Sequence, residues 1–182
     1  MSDQESFLSR LRKGEPDACE LLIEQFEDPL FRFFVCDHRD YHLAQEQTAE
    51  TFAQLICALP KMKGHDDQLR AFVFSIARHV RFRYWRQPSI SRCNVELVKS
   101  VSDPQPSPEH QLADREQLER ILEVISQFDS PLRDILILRF VEELSVNEVA
   151  SAMALPVGTV KSHIHRGIAK LKMILSDSEC KT

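Results

Sequence analysis

The sequence is short of glycine and of alternating patterns. Only four glycines occur in 182 residues, and few runs alternate apolar with polar residues as a half-buried strand would. Both shortages argue against a β-rich or α/β protein and favour an all-helical one. The length suffices for one domain of moderate size or for two small ones.

Several motifs of known chemistry are also missing. The five cysteines stand at positions 19, 36, 57, 93 and 180 without a C-x-x-C pair, which is typical of reduced thiols rather than of a disulfide framework or a zinc site. No G-x-S-x-G motif and no phosphate-binding glycine loop occurs. We therefore expect no catalytic residues, no metal and no cofactor, and the chain is predicted not to be an enzyme.

Signals for export and membrane insertion are missing as well. No apolar run approaches the roughly 18 residues of a membrane span, and the first residues lack the basic and apolar parts of a signal peptide. The sequence predicts a cytoplasmic protein without membrane insertion.

The net charge of −5 hides a strong segregation of charge. Residues 1–69 hold 7 basic and 14 acidic side chains, whereas residues 70–92 hold six arginines and no acid. A second basic block at 157–175 holds four lysines or arginines and no acid. Two basic blocks within an acidic protein indicate local contact with nucleic acid, next to other surfaces that face proteins.

The stretch from Leu144 to Leu175 predicts a helix-turn-helix. Ser145 and Glu148 form a capping-box signature at the start of a short helix, and Leu155-Pro156 is expected to end it. From Val157 onward, apolar residues at helical spacing predict a second helix, and its opposite face is polar and basic. An amphipathic second helix with such a face fits the DNA major groove, although an ordinary helical hairpin with a solvated basic face is the alternative. The residues expected to contact DNA are Thr159, Lys161, Ser162, His165, Arg166 and Lys170.

A second informative helix is predicted from Leu69 to Arg86. Its apolar stripe includes Val73, Val80 and Tyr84, while Phe82 and Trp85 project from an arginine-lined face. Aromatic rings among cations are suited to stacking unpaired bases, at about 1–3 kcal/mol per base. The alternative is that both rings pack against a neighbouring helix of the same domain.

The remaining chain is predicted to be helical with one interruption. Helices are expected near 5–13, 17–36 (with a kink or a break at Pro29), 42–59 and 108–127, and Ser130 and Pro131 should open another as its cap and first residue. The proline-rich residues 88–107 predict a linker between domains at 1–87 and 108–182. The fold class is therefore all-α, with two small helical domains joined by a flexible linker, the C-terminal one a helix-turn-helix.

Together these features resemble the extracytoplasmic-function (ECF) group of bacterial RNA polymerase sigma factors. The most specific match is residues 155–166, LPVGTVKSHIHR, which follows the family's recognition helix. Residues 70–78, RAFVFSIAR, are similar to the segment before the promoter-melting helix, and Glu50-Thr-Phe52 is similar to the end of the polymerase-docking helix. The chain departs from the family pattern at Ala49, His79 and Arg83.

The resemblance implies a factor that binds core RNA polymerase and brings it to promoters. The C-terminal domain would read the minus thirty-five element as duplex, through the helix-turn-helix residues above. The first domain would hold the minus ten element as a single strand, and an anti-sigma factor would cover both domains. The implied single-strand contacts are Lys61, Lys63, Arg78, His79, Arg83, Trp85 and Arg86. The implied polymerase-docking residues, on an acidic face that could also be merely solvated, are Gln45, Glu46, Glu50, Phe52 and Gln54.

Two other functions explain part of the sequence. A stand-alone helix-turn-helix regulator accounts for the C-terminal half but leaves the aromatic, arginine-rich helix unused. A sigma-like decoy that binds polymerase without reading promoters is compatible with the departures at His79 and Arg83.

Overall fold

The structure is a computed structural model that describes residues 5–38, 40–86 and 120–179. Within these ranges the chain forms helices and turns without a strand, which confirms the all-helical prediction. The predicted linker at 88–107 and the expected helix start near 108 lie outside the described residues. None of the described helices combines the length and apolar character that crossing a membrane requires.

The N-terminal domain is built from four helices around one apolar core. Phe33 and Phe34 of the second helix and Phe74 of the fourth are fully buried, and their rings meet edge to face at centroid distances of 5.5 and 5.7 Å. The second helix runs through Pro29 without a break, which was one of the two expected outcomes, and buried core residues lie on both sides of the proline. The helices are α1 (Phe7–Lys13), α2 (Pro16–His38), α3 (Tyr41–Ala58) and α4 (Leu69–Arg86).

The connection between α3 and α4 contains two short 3-10 turns, Leu59–Lys61 and Asp66–Gln68. We call residues 61–67, which include the exposed Lys61 and Lys63, the basic loop.

The C-terminal domain contains the predicted helix-turn-helix. It consists of α5, described over 120–126, then α6 (Leu132–Leu136), a π-helical turn (Ile137–Val141), α7 (Val146–Met153) and α8 (Val157–Glu179).

The capping box that the sequence predicted opens α7. The Glu148 amide donates to Ser145 Oγ at 3.2 Å, and the Ser145 amide donates to Glu148 Oε2 at 2.7 Å. The helix ends at Met153, before the expected Leu155-Pro156 stop, because Ala154 adopts a left-handed backbone with φ 51°.

Gly167 lets α8 lie close to α6. A Cβ atom at this position would meet the two methyl carbons of Leu136 at 2.7 and 2.8 Å. Leu136 is fully buried and has little room to move, so α8 needs a residue without a side chain here. This contact fixes the orientation of the basic face of α8.

Three local predictions were wrong. Helix α6 begins at Leu132 with Pro131 as its cap residue, and Ser130 Oγ donates to Asp134 Oδ2 at 2.9 Å instead of capping the helix. The apolar stripes predicted for the helix near 42–59 and for the helix from Val157 onward would bury Ile56 and Val157, but these side chains are 52% and 39% exposed. Both stand near a helix end, where the neighbouring helix no longer covers the apolar stripe.

The two domains pack directly against each other, with α4 lying along α7. Arg81 of α4 forms an ion pair with Asp134 of α6, and the two side chains are 5% and 0% exposed. The Arg81 guanidinium also lies 4.7 Å from the centre of the Phe33 ring. We call this packing of the two domains the closed arrangement.

Candidate nucleic-acid interface

Helix α8 presents its predicted DNA-reading residues on one exposed face. Lys161, Ser162, His165 and Arg166 are exposed, and Thr159 is half-buried at the edge of the face. Val160 and Gly167 on the opposite side are buried, so the domain core sets the rotation of the helix.

Arg166 lies along this face rather than away from it. Its Nε donates to the Ser162 carbonyl at 3.3 Å, and its Nη2 lies 3.5 Å from His163 Nδ1. Burial, with a smaller contribution from the positive charge of Arg166, lowers the pKa of His163 below 6.5. His163 is therefore neutral at pH 7, and Arg166 supplies a fixed positive charge at the centre of the face.

Lys170 is exposed but lies apart from this cluster. Its ammonium is 5.7 Å from the centre of the Phe128 ring, which belongs to the turn between α5 and α6. The Lys170 ammonium is therefore directed toward a ring of the C-terminal domain rather than toward the Arg166 cluster.

The second candidate surface is the C-terminal half of α4. Phe82 and Trp85 are 55% and 49% exposed, so about half of each side chain is open to solvent. His79 is exposed on the same face. The Arg86 side chain lies outside the described part of the structure.

Arg83 differs from the other predicted single-strand contacts because it pairs with α3. Its Nη2 lies 2.5 Å from Glu50 Oε1, an oxygen that also accepts from Gln54 Nε2 at 2.8 Å. The hydrogen bond from Gln54 and then that from Arg83 lower the pKa of Glu50. The predicted docking face and the predicted single-strand face thus share an ion pair.

The other docking candidates lie on α3 as well. Gln45 and Glu46 are exposed, while Phe52 and Gln54 are half-buried. Burial, followed by a hydrogen bond to Glu46, raises the pKa of Tyr84 to about 12. Tyr84 is therefore a permanent hydrogen-bond donor that links α4 to the acidic face of α3.

The closed arrangement places the predicted single-strand face of α4 in a cleft between the domains. The cleft measures 740 Å³ and is bordered by Arg78, His79, Phe82 and Trp85 of α4 and by residues that flank α6 and α7, including Pro131 and Leu155. Arg78 is already engaged there, since its Nη1 donates to the Met153 carbonyl at 2.6 Å. This carbonyl lies in the last turn of α7, where a cation stabilises the helix end.

A second set of contacts between the two domains is centred on Glu142. Arg32 of α2 binds its carboxylate through two hydrogen bonds of 3.1 Å each, and Arg70 of α4 donates to its backbone carbonyl. Glu142 is only 4% exposed. Burial raises the pKa of Glu142, and the contact with Arg32 only partly opposes that shift.

This shift predicts how Glu142→Gln changes the pH dependence of stability. A carboxyl group whose folded pKa is raised stabilises the fold below its unfolded pKa of 4.5, and it loses that contribution as the pH rises through the folded pKa. The stability of Glu142→Gln relative to the unsubstituted chain should therefore increase from pH 4.5 upward and then level off. Urea unfolding at a series of pH values measures this difference. A difference that is flat with pH, or that falls, would contradict the assignment.

Sequence reasoning missed the residues that join the domains. Arg32, Arg81, Asp134 and Glu142 were not singled out, because each pair is separated by at least 53 positions. One signal was present in the sequence: Arg133 and Asp134 interrupt the otherwise apolar residues 132–138, and Asp134 is the acid of the two. An acid at a core position of a helix requires a buried partner.

Comparisons with known proteins agree with this architecture. The family model described as "Sigma-70, region 4" matches residues 118–171, which include the helix-turn-helix. The ECF RNA polymerase sigma factor SigX of Bacillus subtilis is 23% identical over 158 residues, covering 84% of this chain and 81% of that protein. The RNA polymerase sigma factor CnrH of Cupriavidus metallidurans is 32% identical over 123 residues, covering 63% of this chain and 64% of that protein.

The fold is also similar to a solved structure. CnrH in complex with the cytosolic domain of CnrY superposes with a TM-score of 0.68 at 19% identity, covering 94% of this chain and 96% of that one. The likeness therefore extends over both helical domains.

Proposed function

The chain belongs to the extracytoplasmic-function group of RNA polymerase sigma factors, and we propose that it binds core RNA polymerase and directs it to specific promoters. In this proposal the basic face of α8 reads the upstream element as duplex DNA. The face of α4 and the basic loop hold the downstream element as a single strand. The chain itself performs no catalysis and acts in the cytoplasm together with the polymerase.

One observation supports this function over a stand-alone regulator. The same chain carries a helix-turn-helix and a second surface with two exposed rings, Phe82 and Trp85, on a helix rich in arginine. A duplex-binding regulator needs only the first of these surfaces. The similarity to sigma factors likewise extends beyond the helix-turn-helix, over 84% of the chain in the case of SigX.

The acidic face of α3 is the proposed docking surface for core polymerase. Gln45 and Glu46 are exposed, and the Glu50 carboxylate stays ionised near neutral pH because its pKa is lowered. A basic surface on the polymerase would complement these charges. The proposed surface for polymerase on α3 and the proposed surface for single-stranded DNA on α4 therefore adjoin at the ion pair of Glu50 and Arg83.

The closed arrangement is not compatible with all of these contacts at once. Arg78 donates to Met153 across the domain boundary, and the α4 face lines the cleft. We propose that the domains separate when the chain binds polymerase, which frees Arg78 and opens the cleft. An anti-sigma partner would act by keeping the domains together, and the solved CnrH structure is likewise a complex with a partner, the cytosolic domain of CnrY.

Run-off transcription tests the proposed function. Purified chain and bacterial core polymerase are combined with a genomic promoter library, and the transcript starts are sequenced. Starts that share paired upstream and downstream elements would support a sigma factor. Binding to polymerase without transcripts would support a decoy, and no binding to polymerase would support the stand-alone regulator.

Trp85→Ala should impair promoter opening more than duplex binding. Trp85 is half exposed on the proposed single-strand face, and a stacked base contributes about 1–3 kcal/mol. We therefore expect roughly a tenfold loss of open complexes at a promoter from the library, measured by permanganate reactivity, with upstream-duplex binding unchanged. Phe140→Ala removes another exposed ring, in the C-terminal domain, and serves as the control. Equal losses in opening and duplex binding would contradict the stacking role.

A further inference from the structure

Arg12 of α1 donates two hydrogen bonds that hold the basic loop against that helix. Arg12 Nη2 donates to two loop carbonyls, that of Met62 at 2.5 Å and that of Gly64 at 3.2 Å. The loop between the two 3-10 turns has no regular hydrogen-bond ladder of its own, so its shape depends on such contacts. Helix α1 is itself fixed to the core through Leu8 and Leu11, which are 1% and 3% exposed.

The loop in turn caps helix α1 at its N-terminus. Ser6, the cap residue of α1, makes no side-chain cap bond, and the first turn of α1 contains no acid. The Asp66 carboxylate supplies the missing acceptor, since it accepts from Ser6 Oγ at 2.5 Å, the Leu8 amide at 2.9 Å and the Phe7 amide at 3.1 Å. A helix of seven residues is marginal without such support.

These two attachments determine which side chains the loop presents to solvent. Met62 is 8% exposed and anchors the loop in the core, while Lys61 and Lys63 on either side of it are exposed. Gly64 adopts φ 148°, and a Cβ atom there would collide with the side-chain amide of Gln68. With Met62 anchored in the core, the lysines on either side of it face solvent.

We propose that Arg12 and Asp66 are positioning residues for the single-strand site: by fixing α1 to the basic loop at two points, they hold Lys61 and Lys63 where the opened DNA strand passes. The inference rests on the proposed function, since it assigns the basic loop to strand capture. It adds α1, which contains none of the predicted DNA contacts, to the machinery of promoter opening. Neither residue is proposed to touch DNA.

The chain offers matched controls for both residues. Arg10 lies on the same helix but pairs with Glu15 at 2.8 Å rather than with the loop. Asp67 is the exposed neighbour of Asp66, and the three contacts that cap α1 go to Asp66 alone. Arg12→Ala against Arg10→Ala, and Asp66→Asn against Asp67→Asn, therefore separate the attachment of the loop from the loss of one charge.

The experiment uses holoenzyme assembled from the full chain and core polymerase. Its probes are the strongest promoter recovered from the library and a single-stranded oligonucleotide of that promoter's downstream element. Arg12→Ala should weaken oligonucleotide binding and promoter opening roughly tenfold, as expected for the loss of one or two charge-assisted hydrogen bonds. Asp66→Asn should cause a smaller loss, and Arg12→Lys should recover part of the activity because an ammonium still donates to a carbonyl. Core-polymerase affinity and upstream-duplex binding should not change.

Three results would overturn the inference. Equal opening by Arg12→Ala and Arg10→Ala would show that the loop does not need the attachment. A parallel fall in opening, core affinity and duplex binding would show a role in folding alone. If Arg12→Ala does not fold, the inference would still be overturned when Arg12→Lys and Asp66→Asn both open the promoter and bind the oligonucleotide as well as the wild-type chain does. A wild-type holoenzyme that opens no promoter would instead contradict the proposed sigma-factor function. Failure of the positioning role and failure of the proposed function are therefore distinguishable.

Discussion

Asp134→Ala is expected to cost the folded chain about 3–5 kcal/mol, the scale for removing one partner of a buried ion pair. The ion pair with Arg81 is almost completely enclosed, with side-chain exposures of 5% and 0%. Its removal leaves a guanidinium in the apolar boundary between α4 and α6. Ser130, whose hydroxyl donates to the same carboxylate at 2.9 Å, loses its partner as well.

The Asp134→Ala chain can respond to the loss of the ion pair in two ways, which solution scattering can distinguish. If the domains stay together, the full cost appears as a lower free energy of unfolding in urea. If they separate, Arg81 returns to water and the radius of gyration increases while helix content is preserved. Asp129→Ala, which removes an exposed acid nearby, should change neither quantity. A loss below about 1 kcal/mol without domain separation would contradict a buried pair.

A paired substitution separates the charge from the packing. Arg81→Met combined with Asp134→Leu removes both charges and keeps apolar volume at the boundary. Replacing both members of a buried pair in this way is often neutral or stabilising. We therefore expect the double variant to recover most of the stability that Asp134→Ala loses, and to favour the closed arrangement over the open one.

Arg166→Ala should weaken binding of the upstream duplex element by about 1–3 kcal/mol, which is roughly 5- to 150-fold. Arg166 lies in the middle of the exposed face of α8, and its hydrogen bond to the Ser162 carbonyl keeps the guanidinium close to the helix surface. A planar fork held in this way can bond two acceptors of a guanine or a phosphate at once. Fluorescence anisotropy with duplex DNA from a library promoter measures the loss.

Two controls test whether position or charge matters. Lys172→Ala removes an equal charge from an exposed site further along the same helix, and Arg166→Lys keeps the charge but removes the fork. We expect Lys172→Ala to have a small effect that varies with salt, and Arg166→Lys to lose much of the affinity. Equal effects of Arg166→Ala and Lys172→Ala would show that α8 contributes only general electrostatic attraction.

Local sequence patterns predicted the individual helices well. Helix α4 spans the predicted Leu69–Arg86, and the capping box at Ser145 opens α7 as expected. Both depend on interactions within a few residues, namely helical periodicity and side-chain caps. The exposure of Phe82 and Trp85 also follows from the periodicity of α4, because the core stripe occupies the other side of the helix.

The second buried side of α4 could not be predicted in the same way. Arg81 is only 4% exposed, although arginine on a basic face normally indicates solvent. Its burial results from contact with Asp134, 53 positions later, and no local pattern encodes that contact. The attachment of Asp66 to α1 was missed for the same reason, since it joins residues about 60 positions apart.

The large sequence separations in the domain boundary also set an order for folding. Arg32 and Glu142 are 110 positions apart, and Arg78 and Met153 are 75 apart, so these contacts carry a greater loop-closure cost than those between successive helices. During synthesis the N-terminal domain leaves the ribosome first and can fold on its own helices. For the time needed to translate the remaining chain, its arginines face solvent without Asp134 or Glu142. A newly made chain is thus open before it is closed, and a nascent-chain proteolysis series would detect that interval.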